Sequence, residues 1–109
     1  MASEVLKVSL TATVTSAERK LIDGTSGHTY TVLSITICET AGADETFDLY
    51  VINDGGGTDN YIYKDQAIGA KETFTHNDRI VLEGTDELGF ITDSTANVDV
   101  VVSYLDQTL

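Results

Sequence analysis

Residues 29–38, TYTVLSITIC, and 45–52, ETFDLYVI, decide the fold class. Apolar and polar side chains alternate through both, and a period of two places one residue in two on each face of a sheet. The rhythm continues through NYIYKDQAI (60–68), DRIVLE (78–83), ELGFITD (87–93) and NVDVVVSYL (97–105), with Gly, Asp, Asn and Thr clustered between runs. No comparable helical period interrupts it. Roughly eight to nine short strands with frequent turns predict an all-β chain. The expected architecture is a single two-layer antiparallel β-sandwich, either jelly-roll-like or immunoglobulin-like.

The long run from His28 to Cys38 changes phase midway. Tyr30 and Val32 fall in one set; Leu33, Ile35 and Ile37 fall in the other. Such a slip predicts a β-bulge, or a strand covered on both faces. The N-terminal run is cleaner, with Leu6, Val8, Leu10, Ala12 and Val14 alternating with Lys7, Ser9, Thr11 and Thr13. The apolar set is expected on the core side, the polar set toward water or a partner. Asp23-Gly24-Thr25-Ser26-Gly27 is a turn whose two glycines can take positive φ. Residues 53–60, NDGGGTDN, are the loosest segment and are expected at an exposed loop tip.

At 109 residues the chain is one domain. Residues 1–15 read as an N-terminal strand or arm, a candidate docking element, and residues 16–109 as the sandwich. Eighteen acidic against six basic residues give a formal charge of −12. That field repels a phosphate backbone and an anionic bilayer, so neither nucleic acid nor membrane is an expected partner. No apolar run is long enough to cross a bilayer as a helix, and MASEVLKVSL has no leader pattern, so synthesis in a cytoplasm is expected. Cys38 is the single cysteine, which excludes an internal disulfide and reads as a buried thiol.

Catalytic chemistry is not indicated. His28 and His76 have no metal-ligand spacing, no nucleophile stands in a recognisable constellation, and no cofactor loop is present. The glycine-rich loop leads to a strand and carries acids rather than a lysine, so it is no phosphate cradle. Its oxygen donors Asp54, Asp59 and Asn60 are the calcium candidates, weighed against a plain loop. The partner-contact candidates are Val5, Lys7, Ser9, Thr11 and Thr13 on the first strand. Tyr61 and Tyr63 join them as a protein-contact or sugar-stacking patch, or else as ordinary strand formers.

One resemblance sharpens this outline. Ile37-Cys38-Glu39, the strand Thr46 to Val51, Tyr61 to Tyr63, Asn77-Asp78, Ile80 to Leu88 and Asn97 to Ser103 follow one another in an order similar to a group of small virion proteins of tailed bacteriophages. The chain departs from that pattern at Gly24-Thr25-Ser26-Gly27-His28 and at Glu39, both assigned to turns. The resemblance implies a non-enzymatic virion structural protein, foremost a capsid decoration (cement) protein outside a tailed-phage head. It implies binding to the major capsid protein or another virion protein, and a homo-oligomer, with a trimer favoured. A tail, baseplate or fibre adaptor and a carbohydrate-binding module for host attachment are the alternatives. The first strand could dock by pairing its edge with a partner's sheet.

Overall fold

The computed structural model describes residues 3–14, 17–93 and 96–108. Among these residues nine strands form in chain order: β1 (Ser3–Val14), β2 (Arg19–Asp23), β3 (His28–Glu39), β4 (Glu45–Ile52), β5 (Asp59–Ile68), β6 (Thr73–His76), β7 (Ile80–Glu83), β8 (Glu87–Thr92) and β9 (Val98–Thr108). One 3-10 turn, Asn53–Gly55, interrupts the loop after β4.

All strand pairs are antiparallel and fall into two sheets. One runs β1-β9-β3-β6, with β7 also on β3; the other runs β2-β8-β4-β5. Pairing is nested: β1 with β9, β2 with β8, β3 with β6 and β7, β4 with β5. β6 covers Ile35–Cys38 and β7 covers Thr29–Val32, so the two share one strand position. A long hairpin rolled up in this way is a jelly roll, which decides between the two expected sandwich orders.

The core lies between the sheets. Val32, Ile35, Ile37, Leu82, Val98, Val100 and Val102 of one sheet meet Phe47, Leu49, Leu88 and Phe90 of the other. The expected phase slip in β3 is a bulge: Val32 pairs with Tyr104 and Ser34 with Ser103, leaving Leu33 as the extra residue. Tyr30, Val32, Ile35 and Ile37 therefore all point inward.

Two turns differ from their sequence reading. Gly27 does take positive φ (86°). Gly24 instead provides room, since a Cβ there would lie 2.2 Å from the Gly84 carbonyl oxygen. Glu39 is buried rather than displayed on a turn. Its Oε1 accepts from the backbone N–H groups of Gly42 (2.8 Å), Lys71 (3.1 Å) and Ala43 (3.3 Å), and its Oε2 from Ala41 (2.9 Å). The Glu39 N–H donates to the Glu72 carbonyl at 2.9 Å. One carboxylate thus ties together the two connections, β3–β4 and β5–β6, that cross between sheets at this end.

Candidate functional site

The first strand is inverted relative to its expected orientation. Leu6, Val8 and Leu10 are exposed (73%, 55% and 72%), whereas Val14 is fully buried. The cause is one extra residue: Thr11 pairs with Val100 and Val14 with Val98, three steps along β1 against two along β9. That bulge flips the phase, so Val14 joins the core while the apolar residues before it face outward.

The polar set faces the body. The Ser9 hydroxyl donates to the Leu21 carbonyl on β2 at 2.7 Å. Lys7 Nζ donates to Asp106 Oδ2 at 2.8 Å, and His28 Nδ1 lies 2.7 Å from Asp106 Oδ1. Ser9 and Thr11 are thereby corrected from water- or partner-facing to half-buried, body-facing residues, whereas Lys7 leans onto Asp106 with its side chain still 46% exposed. Val5 shares their phase and pairs with Asp106, yet stays 48% exposed. The side chain of Thr13 lies outside the described residues.

Buried Asp106 joins β1, β3 and β9. The Lys7 hydrogen bond, and then that of His28, hold its carboxyl below the usual carboxylate range, against the upward push of burial. A pKa lower in the folded state gives stability that is complete above the unfolded value and lost as pH falls through the folded one. Asp106→Asn is expected to speed amide hydrogen exchange in residues 4–8 by about tenfold or more, with the centre of β3 unchanged. Unaltered exchange in β1 would show that the backbone ladder alone holds the strand.

Cross-strand partners share a face, so the outer surface of this sheet can be read row by row. Leu6, Leu105, Thr31 and Val81 form one row. Val8, Ser103 and Ser34 form the next, and Leu10, Val101, Thr36 and Thr75 the third. These rows carry no charge; Glu4 and Glu83 lie at one end and Asp99 at the other. Leu6, Val8, Leu33 and Ser103, with Lys7 and Tyr104 at the side, line one shallow depression, and Leu10, Ala12 and Val101, with Asp99 at the charged end, line a second. Cys38 lies at the rim of this face, half-buried rather than in the core. Sequence reading missed these residues as contacts. The available signal was Val100-Val101-Val102, where alternation fails and one valine must lie outside.

The outer face of the other sheet is charged and aromatic. Lys20, Gly89, Tyr50 and Tyr61 stand in one row. A Cβ at Gly89 would lie 2.4 Å from the Tyr50 ring, so glycine lets that ring lie over the strand. The Tyr50 hydroxyl donates to Glu18; burial, then that carboxylate, push its pKa well above the ordinary value. Lys20 reaches Glu87 at 2.8 Å, and Lys64 reaches Asp48 at 3.1 Å while standing 4.8 Å above the Tyr61 ring. Tyr61 is 48% exposed, with Tyr50 tilted against it at 5.4 Å. Tyr63 turns the other way. Its ring packs edge-on against Phe47 and Phe74, and its hydroxyl lies 2.8 Å from His76 Nδ1. The two tyrosines do not form one patch.

The three calcium candidates are engaged separately. Asp54 Oδ1 accepts from the Thr85 hydroxyl, and the Asn60 amide donates to the carbonyls of Thr58 and Val51. Asp59 opens β5 in exposed surface. Among the described residues no group of three or more His, Cys, Asp or Glu is arranged to hold a metal ion.

No protein-family model matches the chain, and no curated protein does. Solved structures match in shape. A chain of the disulfide-linked pili of Bacillus endospore appendages aligns over 100% of this chain and 91% of its own, with a TM-score of 0.56 and 13% identity. A chain of the acid-stable capsid of Helicobacter pylori bacteriophage KHP30 aligns over 100% and 94%, with a TM-score of 0.55 and 14% identity. VP2 of the infectious bursal disease virus subviral particle aligns over 98% of this chain, which spans 37% of VP2, with a TM-score of 0.52 and 8% identity. At these identities the likeness is one of fold: this jelly roll has counterparts in virus capsids and in pili.

Proposed function

We propose that this chain is a non-enzymatic structural protein of a virus particle, and within that class a capsid decoration protein on the outside of a tailed-phage head. The observation that carries the reading is β1. Its 12 residues form the edge of their sheet, with the backbone ladder paired to β9 on one side and to no other described strand. A long open edge is a template for a partner's strand, and proteins that do not use such an edge shorten, charge or cover it. The jelly roll shared with capsid chains and the resemblance to small phage virion proteins support the same reading. Residues 1–15 then act as the docking arm on the major capsid protein or a neighbouring virion protein.

The test is the copy number of this chain in purified particles, by quantitative mass spectrometry. A number comparable to that of the major capsid subunit is expected. A few copies per particle would move the protein to the tail, baseplate or fibres, and absence from particles would remove the virion reading altogether.

A further inference from the structure

We propose that the outer face of the β1-β9-β3 sheet is covered by a second copy of this chain, packed sheet against sheet. This rests on the assembly reading above and names the partner of one surface; the backbone edge of β1 stays open beside it for the particle.

The inverted strand is the first reason. β1 turns its polar side to its own body and its apolar side to water, with Leu6 and Leu10 each more than 70% exposed. A strand so oriented has its full burial only when an apolar surface outside the chain covers it.

Charge selects what that surface is. Two copies at −12 each repel, so they approach only where neither presents carboxylates. The three central rows of this face are uncharged, whereas the opposite sheet displays Glu18, Asp48, Lys20 and Lys64.

Size sets the strength of the contact. The three uncharged rows cover four strand positions, about 19 Å, and roughly 20 Å along the strands, a patch of roughly 380 Å², about half the ~800 Å² per partner of a standard stable interface, so the pairing is a weak one that forms at high concentration. The β1–β9 rows run Leu6–Leu105, Val8–Ser103, Leu10–Val101, large at both ends and smaller in the middle. A two-fold axis across the strands sets the Leu6 row of one copy against the Leu10 row of the other and the two Val8 rows against each other, an isologous contact. Sheets so stacked lie about 10 Å apart. The arrangement joins copies in twos and so departs from the trimer implied by the family resemblance.

Sedimentation velocity on the full chain at about 100 µM tests this. The expected result is a species of twice the 11.7 kDa chain mass, whose population grows as salt screens the like charges. Leu6→Asp with Leu10→Asp is expected to raise its dissociation constant by about 100-fold or more. Both side chains are exposed, so the thermal transition of the monomer should be retained, and melting curves check that. A monomeric wild-type chain, a dimer or trimer indifferent to the double substitution, or a dimer dispersed by moderate salt would each overturn the proposal. Particle copy number is read independently. A monomer abundant on particles would remove the paired face and leave the virion reading; a dimer absent from particles would do the reverse.

Discussion

Phe47→Ala is expected to cost about 3–5 kcal/mol, the range for emptying an aromatic site in a packed core. Phe47 is 1% exposed, and its ring joins the two sheets. It stacks on Phe90 at 5.4 Å and meets Phe74 edge-on at 5.2 Å and Tyr63 at 6.0 Å. Phe74 comes from β6 of one sheet, the others from β4, β5 and β8 of the other. Removing the central ring leaves three aromatic faces without partners across a gap that close-packed neighbours fill only in part. Against a typical total of about 5–15 kcal/mol, the loss would bring the domain near its threshold. Urea titration should show a lower midpoint with an unchanged slope. An unmoved midpoint would mean that β5 and β6 close over the site without cost. Phe74→Ala shares the cavity, so the double variant should lose less than the sum of the two.

Glu39→Gln is expected to lower the melting temperature at neutral pH by roughly 5 °C or more. Burial pushes the Glu39 carboxyl up, but the backbone N–H groups of Lys71, Gly42, Ala41 and Ala43 outweigh it and hold the group below the usual carboxylate range. An amide offers one oxygen where the carboxylate offers two, and turns an NH₂ group toward backbone donors. The pH dependence has a definite sign. A pKa lower in the folded state than the unfolded value of about 4.3 contributes stability that is whole above that value and is lost as pH falls through the folded pKa. The gap between wild type and variant should therefore be widest near neutrality and close in acid. A constant gap from pH 7 to the acid limit would show that packing, rather than the charge on Glu39, holds the two crossing connections.

The class of fold was legible in residues 29–38 and 45–52, because a period of two, even with one slip of phase, has only one regular structure to occupy. The irregularity in β3 was legible too, in the adjacent apolar residues Val32 and Leu33, but a bulge and a strand covered on both faces fit it equally until the register against β9 decided for the bulge. The choice of jelly roll was not legible. It depends on β1 meeting β9 and β2 meeting β8, pairings between the ends of the chain that no local pattern encodes. Glu39 was opaque for a different reason. A carboxylate at the end of a strand reads as surface until the connection carrying Lys71, 32 positions away, supplies one of its donors.

The candidate surface shows the same division most sharply. Sequence by itself determined that Leu6, Val8 and Leu10 share one side of a strand and Lys7, Ser9 and Thr11 the other. Only the tertiary structure decided which side faces out. The period of a strand is two, so a single unpaired residue between Thr11 and Val14 exchanges the faces of everything before it. Whether that residue is unpaired is set by the register against β9, at the far end of the chain.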